Sequence, residues 1–88
     1  MRITIYSKSD CHLCDEMKAI VHRVLGGDAH TSIEEIDISG DPALLDRYGL
    51  EIPVLMIDGK KAAKYRISEA ELRRMATGRG KGQGESKI

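Results

Sequence analysis

Apolar positions along the chain change their period several times, and each change marks an element. Arg2 to Tyr6 alternates Ile3 and Ile5 with polar neighbours, the period-two pattern of a strand. From Leu13 the apolar residues Leu13, Met17, Ile20, Val21, Val24 and Leu25 recur at helical spacing. Asp15 and Glu16 lie in the first turn of that helix, and Gly26-Gly27 ends it. Thr31 to Ile38 returns to alternation through Ile33, Ile36 and Ile38 and predicts a second strand. Asp41-Pro42 then opens a short helix, with Asp41 as its cap and Pro42 in its first position. Ala43, Leu44, Leu45 and Tyr48 form its inner face, and Gly49 stops it. Ile52 to Ile57 is a fully apolar strand that ends at Asp58-Gly59, a tight-hairpin signal. Lys60 to Tyr65 comes back as a more polar edge strand. Ser68 and Glu71 make a capping box for a last helix through Leu72 and Met75.

The order βαβαββα predicts an α/β fold, a small mixed four-stranded sheet with helices on both faces. A right-handed crossover joins its first two, parallel strands. The 88 residues suffice for one domain with a modest core. That domain is expected over residues 1–76. Residues 77–88 alternate Gly78, Gly80, Gly82 and Gly84 with polar and basic residues, which predicts a disordered tail.

Charge removes several function classes. The 14 basic and 14 acidic residues balance, so no global field points to nucleic acid or anionic lipid. The aromatics are Tyr6, Tyr48 and Tyr65, too few for a base-stacking platform. No apolar run has the length of a membrane span, and Met1 leads straight into a charged strand. A monomer in the cytosol, bound to neither nucleic acid nor membrane, is the expectation.

Both cysteines, Cys11 and Cys14, lie between the first strand and the first helix. The pair can close a disulfide within one helical turn, and unpaired N–H groups at the helix start favour a thiolate on Cys11. In a reducing compartment this spacing suggests catalysis or metal binding more than a structural staple. A structural zinc site takes four Cys/His ligands, and no second such pair occurs, so a metal would have to be shared between two chains. No metal or bound cofactor is therefore expected beyond the redox-active disulfide itself. Lys8 suits a thiolate or a substrate carboxylate, with a solvated turn lysine as the alternative. Asp10 opposes it, because a carboxylate disfavours a neighbouring thiolate. A protonated His12 would stabilise the Cys11 thiolate and give a more oxidising couple; an exposed first-turn residue with no such role is the other reading. Arg47 and Arg66 suit either an anionic substrate or solvent. His22 and His30 read as surface residues, Tyr48 and Met56 as core.

Taken together, the residues resemble the thioredoxin superfamily and, within it, the small glutaredoxin-like proteins. The match spans roughly residues 2 to 76. It rests on a strand running into Cys11-x-x-Cys14, Lys8 three residues earlier, the Ile52-Pro53 step opening the third strand, and Asp58-Gly59 before a last strand and helix. The resemblance implies a thioredoxin-like fold with Cys11 as nucleophile, Cys14 as resolving thiol and Pro53 as a cis proline facing them. It also implies that Ile52 offers its backbone to the substrate chain, an edge-strand contact. Lys8, His12, Leu13, Ile52 and Pro53 thus form the expected substrate surface.

The chain departs from the family at three places. His12-Leu13 stands where glutaredoxins usually carry Pro-Tyr. Lys64-Tyr65-Arg66-Ile67 fills the region of their glutathione-binding Gly-Gly pair. Ile5 replaces the aspartate that thioredoxins bury behind the site. The expected function is a thiol–disulfide oxidoreductase acting on a disulfide-bearing protein or a low-molecular-weight thiol, with glutathione or a thioredoxin reductase as reductant. Two other readings remain, a dimeric iron–sulfur carrier and a non-catalytic redox sensor or binding module.

Overall fold

β1 (Arg2–Ser7) occupies the middle of the sheet because it is apolar on both faces. Ile3 and Ile5 point to one side, Tyr6 to the other, and both sides are covered. The computed structural model describes residues 1–79. After β1 come α1 (His12–Leu25), β2 (Ser32–Asp37), a 3₁₀ turn (Ile38–Gly40), α2 (Pro42–Tyr48), β3 (Val54–Ile57), β4 (Lys60–Lys64) and α3 (Glu69–Arg79). The strands lie in the order β2-β1-β3-β4. β1 pairs parallel with β2, while β1–β3 and β3–β4 are antiparallel. This is the mixed sheet that the element order predicts.

Alternation along the two central strands builds two cores. Ile3, Ile5, Leu55 and Ile57 meet Met17, Val21 and Leu25 of α1 together with Ile67 and Leu72. On the opposite face Val54 joins Ile38 and Tyr48, with Tyr6, Ile36, Leu44, Leu45, Ile52 and Met56 packed around them. α1 and α3 therefore cover one face and α2 the other. α1 holds its place because Cys14, Met17, Val21 and Leu25 form one buried stripe. Each fully buried side chain of this kind contributes about 1.5–3 kcal/mol.

Local signals act where the pattern places them. Asp41 accepts from the N–H groups of Ala43 and Leu44 at 3.0 and 3.2 Å and caps α2. Ser68 and Glu71 exchange hydrogen bonds at the start of α3, as a capping box requires. Asp58 and Gly59 both take positive φ, 50° and 86°, and turn β3 into β4. A bulge at Leu55/Met56 shifts the register of that hairpin.

Several boundaries differ from the pattern, and β2 closes at Asp37 because Ile38 enters the 3₁₀ turn that Asp37 caps. β3 begins at Val54 and not at Ile52, because Pro53 has no N–H to give a ladder and Ile52 lies beyond the last residue paired with β1. β4 ends at Lys64, and Tyr65 leaves the strand in a left-handed conformation, φ 69°. α3 continues through Thr77 and Gly78 to Arg79, past the expected domain end at Ala76. The remainder of the expected tail, 80–88, lies outside the described residues.

Candidate active site

Sheet register decides what meets at one end of the molecule. Tyr6 pairs with Val54, and Val54 with Lys64. The chain beyond β1, the residues before β3 and the residues after β4 therefore emerge together. Those three segments carry the cysteine turn, Ile52-Pro53 and Tyr65-Arg66-Ile67.

Asp10 turns the chain into α1 with φ 57°, a left-handed conformation that aspartate tolerates better than most residues. Cys11 follows as the N-cap, in extended geometry, and its Sγ accepts the Cys14 N–H at 3.1 Å. A sulfur thus takes the place usually filled by a Ser or Asp oxygen. Cys11 and Cys14 are joined in a disulfide with Cα atoms 5.2 Å apart. The two sulfurs have different surroundings: Cys11 is half-buried, whereas Cys14 is fully buried under the first turn. The N–H that caps the disulfide would equally hold a thiolate on Cys11.

The other expected site residues divide around the pair. His12 is exposed in the first position of α1. Leu13 is half-buried and lines a groove of about 120 Å³ with Glu16, Met17, Ile20, Tyr65, Arg66 and Ile67. The Ile52–Pro53 bond is cis, with Pro53 buried and Ile52 half-buried against the α2 side of the core. Lys8 borders a second hollow. It lines a polar cleft of about 270 Å³ with Ser7, Ser9, Lys18, Glu35 and Asp37. There Lys18 pairs with Glu35 at 3.9 Å. Hydrogen bonds from Ser39, and then from Ser9, hold the Asp37 carboxyl below its usual range. Among the remaining histidines, His22 is exposed and lies 2.7 Å from Glu35. No group of three or more His, Cys, Asp or Glu side chains gathers among the described residues.

Tyr65 was not among the expected site residues, yet it ties the loops together. Its N–H donates to the Pro53 carbonyl at 2.9 Å, and its hydroxyl donates to the Leu50 carbonyl at 3.1 Å. A bulky residue at φ 69° is strained by about 1 kcal/mol or more, and these two bonds hold it there. No local signal marks this, since a tyrosine closing a polar strand reads as extended. Nor does the sequence mark Leu50, the neighbour of a helix-stopping glycine, as 94% exposed.

Comparison with known proteins adds the family. The family model described as "Glutaredoxin-like domain (DUF836)" matches residues 2–76. The "Glutaredoxin-like protein YDR286C homolog" of Dictyostelium discoideum is 34% identical over 77 residues, covering 82% of this chain and 71% of that protein. Among solved structures, Northeast Structural Genomics target protein XcR50 from X. campestris superposes with a TM-score of 0.73 at 29% identity. That match covers 85% of this chain and 95% of the other. A mutant thioredoxin from Halobacterium salinarum has a TM-score of 0.59 at 22% identity, covering 84% and 69%, and speaks for the fold alone. With a thioredoxin-like sheet, a disulfide across the first turn of α1 and a family match over residues 2–76, the chain belongs to the glutaredoxin-like family of the thioredoxin superfamily.

Proposed function

We propose that the protein is a thiol–disulfide oxidoreductase that works through the Cys11/Cys14 couple. The observation that carries this reading is the asymmetry of the pair: one sulfur half-exposed and capped by a helix N–H, its partner fully buried three residues later. Exchange needs an accessible thiolate, followed by a second thiol that is protected until it is required.

In the reduced protein the Cys11 thiolate attacks one sulfur of a substrate disulfide, forming a Cys11–substrate bond. The other substrate sulfur leaves as a thiolate. Cys14 then loses its proton and attacks the Cys11 sulfur, closing Cys11–Cys14 and releasing the second substrate thiolate. Two electrons pass from the protein dithiol to the substrate. Ile52, just before β3, offers backbone groups to an extended substrate chain, and Leu13 borders the same end of the sheet. A glutathione-type thiol or a reductase returns the electrons. The reading places the protein in a reducing, cytosolic setting, where a C-x-x-C pair cycles between its states.

The test is the rate of reduction of a small mixed disulfide, supplied first with glutathione and then with thioredoxin reductase. Wild type, Cys11→Ser and Cys14→Ser are compared. Turnover that Cys11→Ser abolishes is expected. Retention of full activity by Cys11→Ser overturns the reading. Turnover with glutathione that survives Cys14→Ser assigns a one-thiol, glutathione-driven cycle. Turnover that needs both cysteines and the reductase assigns a two-thiol cycle.

A further inference from the structure

A chain of contacts runs across the α2 side of the disulfide end. The Arg47 guanidinium lies 5.7 Å over the Tyr48 ring, and Lys61 Nζ lies 5.8 Å over the same ring. Lys61 also donates to Glu51 Oε1 at 2.6 Å, while Lys64 Nζ is 3.9 Å from Glu51 Oε2 and 5.5 Å over the Tyr65 ring. Tyr65 in turn holds Leu50 through its hydroxyl. Three cations thus gather around Tyr48 and Glu51. Lys61, as the closest to the carboxylate, keeps the Glu51 carboxyl below its usual range. Arg66 follows Tyr65, is exposed and borders the groove at Leu13.

The same surface holds the two exposed large apolar residues among those described, Leu50 at 94% and Tyr65 at 43%. They flank the Ile52-Pro53 segment, because Tyr65 is bonded to Pro53 on one side and to Leu50 on the other. Nearer the cysteines Asp10, Asp15 and Glu16 are exposed, and Glu16 shares the Leu13 groove with Tyr65 and Arg66. A disulfide arriving at Cys11 therefore meets carboxylates near the sulfur and an apolar, cationic strip beyond the proline.

We infer that this strip selects the substrate, and that the substrate is a polypeptide disulfide carrying a large apolar residue and acidic residues several positions away from its reacting cysteine, where its chain passes the proline. The inference rests on the thiol–disulfide reading above and adds the partner's chemistry. Leu50 and Tyr65 supply the apolar contact, which favours association through area removed from water. Lys64 and Arg66 meet the partner's carboxylates and steer its approach. Interfaces of this kind, with an exposed apolar anchor and a charged rim, gain specificity and on-rate from the rim. A compact neutral disulfide reaches the sulfur without touching the strip.

The experiment uses the dithiol-reduced full chain in single turnover. Peptides bearing a cysteine–thiopyridyl mixed disulfide release thiopyridone, whose absorbance gives the second-order rate constant. One peptide has leucine and two glutamates several residues away from the cysteine, and its counterpart has leucine and two lysines at the same positions. Neutral dithiodipyridine reports the thiol chemistry alone. One screened charge pair changes a rate by about threefold, so the acidic peptide should react roughly tenfold faster than the basic one at low salt. The ratio should shrink as salt is added. Lys64→Glu combined with Arg66→Glu should bring it to one or invert it.

Dithiodipyridine reduction by wild type but not by Cys11→Ser, together with that ratio and its reversal, supports the inference. Reduction of dithiodipyridine with equal peptide rates, or with a ratio unchanged by the double substitution, overturns it and leaves the thiol chemistry standing. Failure to reduce dithiodipyridine overturns the thiol–disulfide reading, and the substrate assignment with it.

Discussion

Two leucines give the most direct check on how α3 is fastened to the molecule. Leu72 is fully buried and packs with Ile67 into the core beneath α1, whereas Leu50 stands 94% exposed. Besides Leu72, α3 gives that core only the half-buried Met75 and Ala76 among its described side chains. Its other tie to α1 is the Arg23–Glu69 ion pair on the surface, which is worth about 0–1 kcal/mol. Leu72→Ala removes three buried carbons and leaves a cavity, at a cost of about 2–5 kcal/mol. A domain of this size loses about 4–8 °C of Tm per kcal/mol, so a 3 kcal/mol cost lowers Tm by roughly 12–24 °C. Leu50→Ala leaves stability within about 0.5 kcal/mol. Urea unfolding followed by circular dichroism, on oxidised protein and with matching slopes, measures both. A Leu72→Ala cost below about 1 kcal/mol refutes the account of α3 as a helix held by one buried side chain. An equal cost for Leu50→Ala refutes it as well.

Further expectations concern charge. His12→Pro, which suits the first position of α1, should lower the reduction potential of the Cys11/Cys14 couple by roughly 5–20 mV if the histidine stabilises the thiolate. An unchanged or raised potential in equilibration with glutathione removes that role. Acid should destabilise the fold in a defined window. The carboxyl of Asp28 is lowered from 3.8 by the His30 N–H and the Thr31 hydroxyl, that of Asp37 from 3.8 by Ser39, and that of Glu51 from 4.5 by Lys61. Groups with depressed folded values bind fewer protons folded than unfolded. Their stabilisation is therefore complete above the unfolded values and disappears as pH falls through the folded ones. Thermal unfolding as a function of pH should show Tm level above those values and falling below them, and a level profile throughout contradicts the assignment.

Most of the fold was legible because its signals are local. The Ile3/Ile5 alternation, the α1 stripe, the Asp41 cap and the Asp58-Gly59 turn each need only a few neighbouring residues to act. The cysteine turn was legible for the same reason. What escaped depends on partners distant in sequence. Tyr65 leaves the strand because Pro53 and Leu50 hold it, and neither lies near it along the chain. The basic strip has no pattern in the sequence, since α2 brings Arg47 and the β4 edge brings Lys61 and Lys64. α3 runs to Arg79, three residues into the stretch read as tail from its alternating glycines, since a helical glycine such as Gly78 costs only about 1 kcal/mol. Lys8, at the position that matches the family, lines the polar cleft on the β2 side, which only the pairing of β1 with β2 creates.

The Cys11 sulfur begins a helix as well as carrying the chemistry, because the Cys14 N–H points at it. Sulfur keeps lone pairs as a thiolate, as half of a mixed disulfide and as half of the internal one. The donor therefore has an acceptor at every stage of the proposed cycle, and the first turn of α1 never has to be dismantled and rebuilt. Rebuilding of this turn therefore drops out of the proposed cycle. What remains is the exchange of bonds between sulfurs, carried out against a dipole that was set in place when the chain folded.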